Sequence, residues 1–234
     1  MLSGMINSVS GAVNTAGSNL SIDSGVDFVS TDGNNIAIGQ GSMAGATNDN
    51  ADSNVAIGYN SLTNITQGDQ NIAIGSGAGG GLTTVSDNVA IGHDALADAN
   101  GATYNIAIGT GALKNNTGVQ NVAVGKDAGT ALAAGVSNTI VGYLGGKGLS
   151  GNNYNTIFGN QALNDSSAAI NGAVAIGYAV MQGDLTTAAD NTIAIGHSAL
   201  NALTTGAGNL AVGYESSYRR KQKYSYRCFC FRLC

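Results

Sequence analysis

Two histidines, His93 and His197, are the side chains of this 234-residue chain with the widest chemical range. Each stands one place after a glycine in a recurring pentapeptide, where other copies carry Tyr59, Tyr143, Tyr178 and Tyr214. If chains met side by side, such a column would bring imidazoles together on a metal ion. The column also accepts Gln40, Ser76, Lys126 and Asn160, so it reads as a variable rim in which a ring covers its neighbours. Carboxylates, including Asp49, Asp52, Asp69, Asp87, Asp98 and Asp190, fall in polar segments. They match neither the nonapeptide calcium-roll pattern nor an EF-hand loop, which leaves turn capping and solubility as their expected role. Against that background no carboxylate pair stands out for glycoside cleavage. In "GGKGLS" a phosphate loop would need Ser or Thr after Lys147, and Gly148 occupies the place. The pairs Thr83-Thr84, Thr186-Thr187 and Thr204-Thr205 are too sparse for one hydroxyl ladder that would match ice. No catalytic residue, metal site or cofactor site is expected, and the chain is read as a non-enzyme.

The glycines themselves carry the main signal. Gly39, Gly58, Gly75, Gly92, Gly109, Gly125, Gly142, Gly159, Gly177, Gly196 and Gly213 follow one another at 16 to 19 residues, with 17 the commonest step. Each closes a pentapeptide of Asn, an apolar residue, Ala, an apolar residue and Gly, as in "NIAIG" ending at Gly75 and "NVAVG" ending at Gly125. A second piece follows, seen in "GYNSL", "GHDAL" and "GTGAL". Its Leu position holds Leu62, Leu96, Leu113, Leu163 and Leu200, becomes Met43 and Met181, and is Gly79, Gly129 and Gly146 in three copies. A polar stretch such as "TNITQGDQ" completes the unit and absorbs the variation in spacing.

Composition agrees with a repeat rather than an ordinary core. There are 36 Gly, no Pro and no Trp, with only 10% charged residues, which excludes collagen and fits poorly with a helical bundle. Up to Tyr218 the 14 acidic residues face only Lys114, Lys126 and Lys147, a net of -11, so no nucleic-acid partner is expected of this body. A period of 17 suits two short strands and two turns, one coil of a parallel β-solenoid. The expected fold is therefore all-β, a parallel β-roll or β-solenoid of about eleven 17-residue coils over residues 35–217. Side chains alternate across a strand. The Ile and Val columns are expected to pile into a thin core closed by the Leu of the facing wall. On the other side, Ala37, Ala56, Ala73, Ala90, Ala107, Ala123, Ala175, Ala194 and Ala211 are expected to form a small-residue column that another copy approaches closely. Ala as mere filler of a cramped monomeric coil is the alternative.

The pentapeptides "NVAIG", "NIAIG" and "NLAVG", followed by "GYNSL" or "GHDAL", resemble the head repeats of trimeric YadA-like autotransporter adhesins and the similar repeats of phage tail-fibre proteins. The resemblance spans about residues 35–214 and implies a left-handed, trimeric roll in which Ala56, Ile57, Gly58 and their equivalents belong to the wall that builds the trimer. It also implies a structural and adhesive role in host attachment. The adhesin coil is nearer 14 residues, whereas this chain keeps about 17, which leans toward a virion fibre. The expected partners are two further copies of the chain, other fibre or baseplate components, and a glycan or protein receptor on a host surface. The expected location is the virion surface. The alternatives are the head of a bacterial surface adhesin on the outer surface of the cell and, in a different class, a fibre-borne polysaccharide hydrolase.

The ends depart from the repeat. Residues 1–34 are Ser-, Gly- and Asn-rich, without a recognisable export signal, and read as an irregular or capping segment. Residues 218–234 are basic and aromatic and hold Cys228, Cys230 and Cys234, all the cysteine in the chain. That tail reads as the product of a frameshift or a truncation.

Overall fold

The computed structural model describes residues 13–14, 19–22, 33–46, 51–164, 170–183 and 189–216. Among them the chain forms one sheet of thirteen very short strands in chain order. They are β1 (Val13–Asn14), β2 (Leu20–Ile22), β3 (Ile36–Ile38), β4 (Val55–Ile57), β5 (Ile72–Ile74), β6 (Val89–Ile91), β7 (Ile106–Ile108), β8 (Val122–Val124), β9 (Thr139–Val141), β10 (Thr156–Phe158), β11 (Val174–Ile176), β12 (Ile193–Ile195) and β13 (Leu210–Val212). From β2 onward every neighbour is parallel and in repeat register, so that Ala56 pairs with Ala73 and Ala73 with Ala90. This is a parallel β-solenoid. At roughly 4.8 Å per rung, its twelve parallel strands span about 53 Å. The first of them, β2, lies inside the segment expected to be a cap, and β1 closes it antiparallel.

Among the described residues each coil contributes one strand rather than two. After the repeat glycine the backbone turns at every second residue, as at Gly92, Asp94 and Leu96, with φ of 130°, 55° and 52°. Turns of this kind need a positive φ at their third residue. The Ala95 amide donates to the Gly92 carbonyl at 3.3 Å across Asp94, and the Gly80 amide donates to the Gly77 carbonyl at 3.2 Å across Gly79. The amides left over pair between coils, Asp94 to the Ser76 carbonyl at 3.0 Å and Leu96 to the Ala112 carbonyl at 3.1 Å. The wall facing the strands is thus a stack of turns.

That wall explains why Leu, Met and Gly share one column. Leu62, Leu96, Leu113, Leu163 and Leu200 take φ from 47° to 52°, while Gly79, Gly129 and Gly146 take 57° to 62°. Where the column is Gly, a leucine three residues later fills the interior, as Leu82, Leu132 and Leu149 do. A Cβ on Gly129 would stand 3.0 Å from Leu113 Cδ2 and 3.1 Å from Ile140 Cδ1. The space vacated by the missing leucine is occupied by neighbours, and packing density is kept.

The interior also contains a polar spine. Asn35, Asn54, Asn71, Asn88, Asn105, Asn121, Asn138 and Asn155 are buried, one per coil. Asn88 is representative: its backbone amide and its Nδ2 both donate to Asn71 Oδ1 at 3.1 Å, and Nδ2 also donates to the Ala102 carbonyl at 2.9 Å. One side chain therefore ties a coil to its neighbour and closes its own coil across the interior. The carboxamide supplies an acceptor oxygen and two donor hydrogens at the end of one short stem. Ala173 and Thr192 interrupt the spine, and Asn209 resumes it with longer contacts of 3.4 and 3.5 Å to Thr192 Oγ1.

Candidate functional site

The strands present their faces the opposite way from the sequence-based expectation. Ala37, Ala56, Ala73, Ala90, Ala107, Ala123, Ala175 and Ala194 are completely buried inside the coil of a single chain, and Ala211 nearly so. They cannot form a contact column for another subunit. The physical reason is room: the turn wall fills the interior with Leu or Met, and the strand wall must supply small side chains opposite it. Where Ile140 and Ile157 replace Ala, they reach across to the Gly146 position, which a Cβ would share at 3.2 Å from each Cδ1.

The bulky residues consequently point outward in two parallel columns. One runs Leu20, Ile36, Val55, Ile72 and onward to Leu210, and the other Ile22, Ile38, Ile57, Ile74 and onward to Val212. Twenty-two of these 24 positions are apolar, Thr139 and Thr156 being the exceptions. Several side chains are openly exposed, among them Ile74 at 37%, Ile106 at 39% and Phe158 at 57%. The result is a continuous apolar face two side chains wide and about 50 Å long, a larger patch than a soluble monomer ordinarily leaves open to water.

The column after the repeat glycine forms a rim to one side of this face. Tyr59, Tyr143, Tyr178 and Tyr214 are exposed there. His197 lies between two of them, its ring centre 5.0 Å from that of Tyr178 and 5.1 Å from that of Tyr214. Lys126 Nζ lies 6.0 Å from the centre of the Tyr143 ring. Rings covering their neighbours along the stack is what the residue types suggested. Six rungs separate His93 from His197, about 29 Å at the usual strand spacing, so the two do not meet within one chain. His93 instead stands 3.8 Å from Asp94.

Among the described residues no three His, Cys, Asp or Glu side chains come together as metal ligands. Asp69 and Asp190 serve the coil itself. Asp69 Oδ1 accepts from the Asp52 amide at 2.8 Å, and Asp190 Oδ1 accepts from the Asn171 amide at 2.8 Å, each capping the neighbouring coil's turn. Asp94 pairs with Lys114 at 2.9 Å, and this hydrogen bond together with the carboxylate's charge raises the Lys114 pKa above the usual lysine value. The Glu215 carboxylate similarly raises that of the Tyr214 phenol. Gly148 donates its amide to the Asn164 carbonyl at 2.9 Å as part of the coil ladder, and "GGKGLS" opens no helix. Asp49, Thr186, Thr187 and the basic tail 218–234 with its three cysteines lie outside the described residues, as do residues 47–50, 165–169 and 184–188 of the longer turns.

The buried Asn spine was not anticipated as a functional element of the fold, although its signal was present: Asn opens most of the pentapeptides. The fold and its outward face define the class, a parallel β-solenoid of the general kind seen in adhesins and tail fibres. No protein-family model, curated protein or solved structure matches the chain.

Proposed function

We propose that this chain is a structural and adhesive fibre segment, acting without catalysis as a homotrimer on a virion surface. The observation that carries the reading is the continuous outward face of Ile and Val. It runs the length of the solenoid, and the repeat renews it at every rung, so a second and third copy of the same chain offer the matching surface. Covering it stabilises at about 25 cal/mol per Å² of apolar area removed from water. That gain is what a coil with a core of Ala and single Leu side chains lacks. The likeness of the pentapeptides to adhesin and tail-fibre head repeats supports three copies rather than two.

In this reading the turns and the Tyr-bearing rim remain outside the trimer and are free to meet a host glycan or protein. Three identical rims on one rod raise the effective concentration of weak contacts. Fibre or baseplate components would hold the rod at its ends. Sedimentation equilibrium of the full chain under reducing conditions tests the quaternary part: a species of three times the 23.2 kDa chain mass is expected, and a stable monomer at micromolar concentration overturns it.

A further inference from the structure

We infer that the patch formed by Thr139, Thr156 and Phe158 sets the register in which copies of this chain associate; the inference rests on the self-association proposed above. The need for such a device follows from the repeat. From β3 to β8 a slip of one coil exchanges Ile for Val or leaves the residue unchanged, so contacts there differ by one methylene at most. A uniform apolar ladder specifies register weakly.

At β9 and β10 the face changes character. Thr139 and Thr156 are adjacent partners in the parallel ladder, both exposed, and they interrupt a column that is otherwise Ile, Val or Leu. Neither hydroxyl has a hydrogen-bond partner among the described residues. Thr is close to Val in shape, so the surface stays continuous while it acquires two hydroxyls that must be paired if water is excluded. In the neighbouring column the same rung carries Phe158, the largest side chain on the face, 57% exposed between Val141 and Ile176.

With copies aligned rung for rung, Thr meets Thr, hydroxyl can bond hydroxyl, and the Phe158 rings share one layer. A one-rung slip keeps half of the hydroxyl pairs but drives each Phe158 against Val or Ile. A two-rung slip strands all of the hydroxyls. The patch thus adds little attraction and penalises the wrong alignments, as a single polar residue does in a coiled-coil seam. Lost overlap at the ends opposes slippage too, but a two-rung slip forfeits only two rungs of twelve.

The test uses full-length chains in which Cys228, Cys230 and Cys234 are serine, one carrying Ile74→Cys and a differently tagged one carrying Ile108→Cys. These positions are two rungs apart, about 9.6 Å, too far to be bridged by a disulfide in the aligned assembly. After co-expression and mild oxidation, disulfides between like chains are expected to exceed mixed ones by at least tenfold. Adding Thr139→Val, Thr156→Val and Phe158→Ile to both chains is expected to raise the mixed fraction tenfold or more at unchanged oligomer mass and circular dichroism. An oligomer whose mixed fraction is already high, or does not respond to the three substitutions, overturns the register inference alone. A monomer by sedimentation, with no disulfides of either kind, removes the self-association reading and the register inference with it.

Discussion

A methyl group placed on Gly92 would lie 2.6 Å from the carbonyl carbon of Gly109, one rung along the solenoid. The same relationship recurs from Gly58 to Gly196, with the nearest backbone atom of the next rung at 2.0 to 2.8 Å from the would-be Cβ. These glycines are also held at φ between 127° and 150°, a conformation that L side chains rarely adopt. The repeat glycine is therefore required twice over, by conformation and by stacking.

Gly92→Ala is accordingly expected to cost about 3 kcal/mol or more, read from the thermal or denaturant midpoint by circular dichroism. Gly151 provides the control, having φ of 70° but nothing within 4 Å of a would-be Cβ. Gly151→Ala is expected to cost only about 1 kcal/mol. Equal losses at the two positions would show that backbone conformation alone selects glycine and that stacking is irrelevant.

Asn105 anchors the polar spine. Its Nδ2 donates to the Thr103 and Gly118 carbonyls, both at 3.0 Å, and its Oδ1 accepts from the Asn121 amide at 2.9 Å. Asn105→Ala leaves buried partners unsatisfied, and a loss of about 2 to 4 kcal/mol is expected. Hydrogen exchange should rise first at Asn121 and its neighbours; a variant as stable as the parent would refute the spine's role.

Interior volume is shared between Gly129 and Leu132, which stand where the coil of β6 has buried Leu96 and Ala99. Gly129→Leu is expected to overpack against Leu113 and Ile140 and to destabilise by about 1 to 3 kcal/mol. Combining it with Leu132→Ala should recover at least part of that loss, giving a favourable coupling in a double-mutant cycle. Strict additivity would mean that the two side chains do not compete for the same space.

On the outward face, Ile74→Arg with Ile108→Arg is expected to convert the oligomer to monomer while the local coil hydrogen bonds survive. Analytical ultracentrifugation reads the mass and hydrogen exchange reads the ladder. An oligomer that tolerates both charges would place the contact surface elsewhere on the coil.

The Lys114–Asp94 pair is a contrasting case. Its side chains are 36% and 30% exposed, so solvent screening leaves it worth under about 1 kcal/mol. Because Asp94 raises the Lys114 pKa, the contribution is fully present below the ordinary lysine value and is lost as pH rises through the folded one. Lys114→Met is expected to shift the midpoint at pH 7 only slightly and to remove a small alkaline loss of stability; a large shift at neutral pH would overturn this ranking.

The repeat period, the glycine that closes each strand and the parallel coil were legible in the residues, because a ladder tolerates no insertions and stacked backbone admits no side chain. Alternation in "NIAIG" likewise revealed two unlike faces, one of Ile and Val and one of Ala. Which face turns inward was not legible, since alternation has period two whichever side is buried. Tertiary structure decided it through the width of the coil. The opposite wall is a stack of turns whose Leu62, Leu96 and Leu113 already fill the interior, so only Ala fits beside them and the Ile and Val columns are left outside. The Asn spine was hidden for a related reason: Asn is as much at home in an exposed turn as in a buried ladder, and only the closed coil, which brings Asn88 Nδ2 to the Ala102 carbonyl, distinguishes the two.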